Sequence, residues 1–137
     1  MSLIYLLDTN TISEPLKERP NQQVVDKIQL FDSNIAIASI VVYELFRGAY
    51  LLPESKKRSK TLDYIESVLL KFQVFNYTQE EAIWNGKENA RLQQLGKPPS
   101  FIDAQIAAVA YTNQLILVTR NISDFQYFSD LMVENWF

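Results

Sequence analysis

Four acidic residues of this sequence could serve a structural or a chemical role, and together they suggest one kind of chemistry. They are Asp8, Glu44, Asp103 and Asp124. Carboxylates that lie close together repel one another, and some take up protons unless a cation neutralises them. Hard divalent ions such as Mg²⁺ or Mn²⁺ prefer oxygen ligands and bind through a few carboxylates plus substrate phosphate. Such an ion activates water and stabilises an in-line displacement at phosphorus.

Composition restricts the other chemistries open to this chain. No histidine is present, which removes the commonest proton carrier at neutral pH and the Ser-His-Asp triad with it. No cysteine is present either, which excludes disulfides, thiolate metal sites and a cysteine nucleophile. The net charge of −3 argues against a uniformly basic surface that coats nucleic acid, but it leaves room for a local basic patch. An enzyme of this composition must use carboxylates, lysine, tyrosine or a metal ion.

Composition and length also predict where the chain acts and how it is organised. The 137 residues correspond to one ordinary globular domain, 1–137, with 47% apolar and 21% charged residues. No apolar run approaches membrane-spanning length, and the N-terminus lacks the basic region of a signal peptide. The absence of cysteine fits a reducing compartment, so we expect a cytoplasmic protein without membrane contact.

Asp8 and Asp124 each follow a short apolar run and have a structural alternative. Asp8 could be a turn or cap residue, although Asn10 and Thr11 already offer capping groups. Asp124 could cap the short turn of residues 125–128, and taken alone that interpretation is the simpler one. Only their joint position after two buried strands favours a functional role.

Glu44 and Asp103 lie in predicted helices. Glu44 falls in the second turn of a helix that opens at Ser39, among apolar residues, where an unpaired carboxylate is costly to bury. Its alternative is an exposed ion pair with Arg47, worth only a few tenths of a kcal/mol. Asp103 stands three residues after Ser100, as in a capping box, and a first-turn acid is favoured by the helix dipole. The apolar helix behind it predicts burial, so Asp103 would project into an enclosed space.

The elements that must position these acids follow from the hydrophobic pattern. Short apolar runs predict buried strands at residues 3–7, 35–38, 73–75 and 115–118, with a possible edge strand at 132–133. Helical spacing predicts helices that directly follow the first strand and that cover residues 22–31, 40–52, 56–69, 79–95 and 101–111. Strands that alternate with helices predict an α/β fold with a mostly parallel sheet and right-handed crossovers.

Polar side chains predict where several of the helices begin. Thr11 and Glu14 have the spacing of a capping box after the first strand, and Ser39, Thr78 and Ser100 can cap later helices. In a parallel sheet the functional crevice lies beyond the carboxyl ends of the strands. We therefore expect the four acids to meet at that edge.

At this point the residues resemble a known family, the PIN-domain ribonucleases, and within it the VapC-type toxins of bacterial toxin–antitoxin pairs. The resemblance runs over nearly the whole chain. It rests on Leu7-Asp8-Thr9-Asn10, on Tyr43-Glu44-Leu45 with Gly48-Ala49, on the segment from Pro99 to Ala108 around Asp103, and on the segment from Val118 to Phe125 that ends at Asp124. Each motif is short, and their order and spacing give the signal.

The resemblance implies an α/β/α three-layer sandwich and an endoribonuclease that depends on Mg²⁺ or Mn²⁺. It implies that Asp8, Glu44, Asp103 and Asp124 form the acidic site. In the mechanism we expect, Asp8 and Asp103 are the principal metal ligands, and Glu44 and Asp124 complete the shell or hold coordinated water. Supporting polar groups would be Thr9, Asn10, Thr119 and Asn121. It also implies a homodimer and a cognate antitoxin that covers the active site.

The implied reaction is hydrolysis of an RNA phosphodiester by water, without attack by the 2′-hydroxyl. Phosphates are met mainly by arginine and lysine, so Arg47 and Arg120 are the expected substrate contacts. The basic run of residues 56–60 is a weaker candidate, because a solvated helix face explains it more simply.

The sequence leaves two other functional classes open. One is a different Mg²⁺-dependent phosphohydrolase or phosphotransfer domain with an acid after the first strand. A phosphatase of the haloacid dehalogenase type would need a second aspartate where Asn10 stands, and a receiver domain would need a lysine near Arg120. The other class is a catalytically silent PIN-like module whose role is to bind another protein.

Overall fold

The computed structural model describes residues 2–137 and is built on one five-stranded sheet. The strands are β1 (Tyr5–Leu7), β2 (Ile35–Ala38), β3 (Gln73–Phe75), β4 (Ile116–Val118) and β5 (Val133–Glu134). Their order in the sheet is β3-β2-β1-β4-β5, and every neighbouring pair is parallel. The predicted α/β class and parallel sheet are therefore confirmed.

Six α-helices surround this sheet. They are α1 (Thr9–Ser13), α2 (Gln22–Leu30), α3 (Ser39–Leu51), α4 (Lys56–Lys71), α5 (Gln79–Gln94) and α6 (Phe101–Thr112). Short 3-10 turns cover Glu14–Leu16, Asp32–Asn34 and Ile122–Asp124. Within residues 2–137, no helix has both the length and the apolar character needed to cross a bilayer.

The central strands are covered on both faces. Successive residues of a strand point to opposite faces, and both Leu6 and Leu7 are fully buried, as are Leu117 and Val118. All four residues of β2 are buried in the same way. This double burial explains why the strands are continuous apolar runs, and it requires helices on each side of the sheet, as in a three-layer α/β/α sandwich.

Two of the predicted helix caps are wrong for the same physical reason. Helix α1 begins only two residues after β1 ends, so Asp8, not Thr11, occupies its N-cap. Helix α3 follows β2 without an intervening residue, so Ser39 is already helical and Ala38 takes the cap position without a side-chain bond. Because the strands and helices are joined so tightly, the caps fall earlier than the sequence pattern indicates.

The other boundaries agree with the predictions to within a few residues. Ser100 caps α6 through a bond from the backbone N–H of Asp103, and Thr78 opens α5. The late strand begins at Ile116, one residue after the predicted start, and the edge strand is shifted by one residue to Val133–Glu134.

The connections bring three helix starts to the carboxyl edge of the sheet. Helices α1 and α3 leave β1 and β2 directly at that edge. Helix α6 delivers the chain to the opposite, amino end of β4, so its first turn lies back at the carboxyl edge. As predicted, α6 is buried, with Ala104 and residues 106–110 inaccessible to solvent.

Candidate active site

The carboxyl edge of the sheet contains a cavity of about 270 Å³ that all four predicted acids line. Asp8, Glu44, Asp103 and Asp124 come from four separate segments of the chain and share this space. The remaining walls are formed by Thr9, Asn10, Ser100, Ile102, Ile106, Asn121 and Phe125. We refer to this cavity as the acidic pocket.

Asp8 is held rigidly at the base of the acidic pocket. Its Oδ1 accepts hydrogen bonds from the backbone N–H of Thr11 at 2.9 Å and from the Thr11 hydroxyl at 2.7 Å. Its own N–H donates to the carbonyl of Val118 at 3.0 Å, which ties β1 to the end of β4. Only 7% of Asp8 is exposed, and within residues 2–137 no hydrogen bond reaches Oδ2. That second oxygen is available to a ligand.

Glu44 is oriented by a neighbour of Asp8. The hydroxyl of Thr9 donates a hydrogen bond to Oε1 of Glu44, which links α1 to the second turn of α3. Among residues 2–137, the ion pairs found are Lys17–Glu14, Lys71–Asp32 and Arg91–Glu88. The predicted alternative, an ion pair between Glu44 and Arg47, therefore does not form in the described structure.

The pKa of Asp103 shows that the four acids interact electrostatically. Burial raises the pKa of the Asp103 carboxyl above its usual value, and the neighbouring Ser100 hydroxyl opposes this shift. The negative charges of the other three acids raise the pKa of Asp103 further, in the order Asp124, Asp8 and Glu44. The four carboxylates are thus close enough to repel one another.

Asp124 lies on the exposed rim of the acidic pocket, at the end of the 3-10 turn Ile122–Asp124. Its N–H donates to the carbonyl of Asn121 at 3.1 Å. The buried hydroxyl of Thr119 in turn accepts the N–H of Asn121 at 3.0 Å and fixes the start of this turn. Thr119 does not line the cavity, whereas the other three predicted supporting residues do.

The sequence does not predict that Thr11 and Ser100 belong to the candidate site. The sequence predicts Thr11 only as a helix cap, but its backbone N–H and its hydroxyl each donate a hydrogen bond to the Asp8 carboxylate. The signal is present, because aspartate is a preferred N-cap residue whose side chain accepts the N–H of the second or third helical residue. Ser100 was predicted as a cap, and the structure also places it in the pocket wall.

The predicted substrate contacts lie outside the acidic pocket. Arg47 is exposed on α3 and is absent from the pocket lining. The guanidinium of Arg120 packs over the ring of Phe137, with 4.9 Å from its central carbon to the ring centroid. Neither arginine contacts the acids in the described structure.

The donor set of the acidic pocket fits a hard divalent cation. Four carboxylates supply oxygen ligands, none of them is paired with a lysine or arginine of residues 2–137, and their repulsion raises the pKa of Asp103. As the side chains stand, no three acidic groups of the described residues are close enough to hold one ion. A cation would therefore have to draw the carboxylates together, which mutual repulsion otherwise opposes.

Similarity to known proteins agrees with this geometry. Residues 5–129 match the PIN domain family model. The chain is 30% identical to the tRNA(fMet)-specific endonuclease VapC of Salmonella typhimurium and 31% identical to Ribonuclease VapC2 of Haemophilus influenzae, in each case over 98% of both chains. The crystal structure of VapBC2 from Rickettsia felis, bound to a DNA fragment from their promoter, contains a chain with a TM-score of 0.85 and 28% identity, covering 98% of this chain and 100% of that one. This chain therefore belongs to the PIN-domain family and, within it, to the VapC ribonucleases.

Proposed function

We propose that this protein is a divalent-metal-dependent endoribonuclease that acts as the toxin of a type II toxin–antitoxin pair. The observation that carries the proposal is the convergence of Asp8, Glu44, Asp103 and Asp124 on one pocket without any basic partner among residues 2–137. Membership of the VapC ribonucleases supports the same reaction class. Carboxylates that share one pocket repel one another unless a cation neutralises them.

The acids divide into two groups in this proposal. Asp8 and Asp103 would be the principal ligands of Mg²⁺ or Mn²⁺, and Glu44 and Asp124 would complete the shell or orient water. When bound, the ion lowers the pKa of the attacking water and neutralises charge on the phosphate. Thr11 and Thr9 keep the carboxylates of Asp8 and Glu44 in place before substrate arrives.

Water is the nucleophile in this mechanism, so the 2′-hydroxyl of the RNA is not required for attack. The carboxylates of Asp124 and Glu44 lie at the same pocket and can accept a hydrogen bond from that water. Ile102 and Ile106 give the pocket an apolar wall beside the carboxylates. Arg47 and Arg120 stay predictions as phosphate contacts, because neither side chain lines the acidic pocket.

The partners follow from the relatives. The similar chain of Rickettsia felis belongs to a VapBC2 complex that was solved on promoter DNA. We propose that residues 1–137 act as a single nuclease domain, that the chain forms a homodimer in the cytoplasm, and that a cognate antitoxin covers the acidic pocket.

One comparison of variants tests the activity. The purified chain is incubated with total RNA and Mg²⁺ or Mn²⁺, with and without EDTA, and new RNA ends are mapped. We expect EDTA, Asp8→Asn and Asp103→Asn each to abolish cleavage while circular dichroism shows retained folding. Asp63→Asn, at an exposed position of α4 away from the pocket, is the matched control and should cleave normally.

The same assay separates the two alternatives. Hydrolysis of a simple phosphomonoester without cleavage of RNA would overturn the nuclease in favour of another phosphohydrolase. Failure to cleave any RNA, in a chain that still binds its antitoxin, would identify a silent binding module.

A further inference from the structure

A second cavity, of about 290 Å³, adjoins the acidic pocket and has a different chemical character. The two cavities share Ser100, Asp103 and Asp124 in their walls, so the side chains of two of the acids lie between them. The other walls of the second cavity include Lys97, Pro98, Pro99, Tyr127 and Phe128. We call this space the side cavity.

The walls of the side cavity combine an aromatic ring with a cation. Tyr127 is 47% exposed, and the ammonium of Lys97 lies 5.0 Å from the centroid of its ring. Proteins that bind single-stranded nucleic acid use this pair of features, because bases stack on aromatic rings while lysine meets the phosphates. No such pairing of aromatic ring and cation lies in the acidic pocket itself, among the residues that line it.

Helix α5 fixes the backbone on both sides of the Tyr127 side chain. The guanidinium of Arg91 donates to the carbonyl of Tyr127 at 2.7 Å, and Oε1 of Glu88 accepts the N–H of Ser129 at 2.6 Å. Glu88 and Arg91 also bind each other at 2.9 Å. The residue between, Phe128, is buried against Trp84 with ring centroids 5.7 Å apart. A backbone fixed in this way has little freedom left to lose when a base stacks on the Tyr127 ring.

The size of the side cavity limits what can enter it. Its volume lies near the lower bound of about 300 Å³ for small-molecule pockets, which suits one planar group and not a helix. RNA is read base by base mainly where it is single-stranded and a base can be turned out of its stack. The cavity opens beside the acids, so such a base would belong to a nucleotide next to the bond that is cut.

We propose that the side cavity binds one unpaired base of the RNA, from the nucleotide beside the scissile phosphate, with the base stacked on Tyr127. Lys97 leaves the tyrosine ring as the base arrives and contacts the adjoining phosphate. The inference rests on the proposed ribonuclease function and adds to it a base-binding site formed by Tyr127 and Lys97.

Binding is tested first, separately from catalysis. A fluorescent single-stranded oligoribonucleotide is titrated in EDTA at low salt, and its Kd is measured by anisotropy. We expect Tyr127→Ala to raise the Kd roughly 5- to 150-fold, the range for loss of one stacked base. Tyr127→Phe keeps the ring and should bind like the wild type. Tyr50→Ala, at another exposed tyrosine on α3, is the matched control.

The lysine is tested by its salt dependence. Lys97→Ala should weaken binding of all sequences alike and lower the slope of log Kd against log salt by about 0.7, as expected for one lost phosphate contact to a single strand. Lys87→Ala, at an exposed position of α5, should leave the slope unchanged.

Placement of the base is tested by cleavage with Mg²⁺. A set of oligoribonucleotides carries one abasic site at each position near the cut. In the wild type, one position next to the cut should reduce kcat/KM roughly 5-fold or more. In Tyr127→Ala the same abasic site should cost nothing further, because the stacking partner is already absent.

Each outcome bears on the proposal. An unchanged Kd in Tyr127→Ala, or an abasic penalty that persists in this variant, would overturn the base site while leaving the nuclease intact. If Tyr127→Ala binds RNA as the wild type does but is inhibited less by the antitoxin, the side cavity is a contact site for the protein partner and not for a base. A wild type that binds RNA but never cleaves it would refute the proposed function alone, and the Kd values would still decide on the base site.

Discussion

At the scale of single residues, Asp8 serves the helix and the site at once. Its Oδ1 accepts two bonds from Thr11 as the N-cap of α1, while Oδ2 is available to the pocket. The two roles can be separated because asparagine caps a helix as well as aspartate does, whereas alanine does not. Asp8→Asn should therefore abolish cleavage with little loss of stability, and Asp8→Ala should abolish cleavage and also cost about 1 kcal/mol of unfolding free energy.

Urea unfolding in EDTA, run beside the RNA assay, measures both effects of the Asp8 substitutions. Thr11→Val, which removes the hydroxyl bond but keeps the backbone bond, gives the intermediate comparison. Equal stabilities of Asp8→Asn and Asp8→Ala would contradict the capping role.

The raised pKa of Asp103 predicts how the stability of the fold should change with pH. Burial and three like charges raise this pKa in the folded state, so the folded chain binds this proton more tightly than the unfolded chain. The resulting stabilisation is complete below the unfolded pKa of about 3.9 and is lost as the pH rises through the raised value. At pH 7 in EDTA, Asp103→Asn should therefore raise Tm, by about 1–3 °C because solvent screens part of the repulsion.

Thermal unfolding of this variant between pH 3.5 and pH 8 tests the sign. The difference in Tm between Asp103→Asn and the wild type should shrink toward acid pH, because the wild-type carboxyl becomes protonated and uncharged there. Asp63→Asn should show no such trend, and a variant less stable than the wild type at pH 7 would refute the repulsion.

At the scale of elements, Glu81 joins the start of α5 to the end of α6. Its Oε2 accepts the N–H of Thr78 at 2.9 Å and also the Thr78 hydroxyl, and its Oε1 accepts the Thr112 hydroxyl at 2.8 Å. Burial alone would raise the pKa of Glu81, but these hydrogen bonds outweigh it and hold the pKa below its usual value. The ionised carboxylate is therefore the form that stabilises the fold.

We expect Glu81→Gln to lower the unfolding free energy by roughly 1.5–3 kcal/mol at pH 7, as for hydrogen bonds to a charged group. The unfolded pKa of glutamate is about 4.3, so the difference from the wild type should be full above that value. It should disappear as the pH falls through the lowered pKa of the folded state. Glu80→Gln, at the exposed neighbouring position, should be close to neutral, and an equal effect of both substitutions would contradict the role of Glu81.

The elements show what a single sequence can reveal. Hydrophobic periodicity and apolar runs are sufficient to predict the strands and helices, and residue type is sufficient to predict the caps Thr78 and Ser100. These features can be predicted because they depend on neighbouring residues in the sequence. The predicted caps Thr11 and Ser39 are wrong, because the length of the junction between strand and helix decides which residue is the cap. That length depends on strand pairing between distant segments, which no local pattern records.

At the scale of the whole molecule, the shared pocket was predictable and its surroundings were not. Parallel strands place their carboxyl ends at one edge, so acids after β1 and β4 are brought together by topology alone. The positions of Arg47 and Arg120 depend on helix rotation and on packing against Phe137, which the sequence does not fix. The side cavity was not predicted either, because Lys97 and Tyr127 are thirty positions apart in two irregular segments.

The topology also makes the stability of the entire fold sensitive to the cation. Four segments meet at the acidic pocket, so an ion that binds only the folded chain stabilises all of them together. At 100 times its Kd, such an ion adds about 2.7 kcal/mol, which corresponds to a Tm increase of about 5–10 °C for a chain of this size. Scanning fluorimetry against Mg²⁺ and Mn²⁺ measures the increase. Asp8→Asn and Asp103→Asn should lose most of it and Asp63→Asn none, whereas a full increase in the two pocket variants would place the ion elsewhere in the molecule.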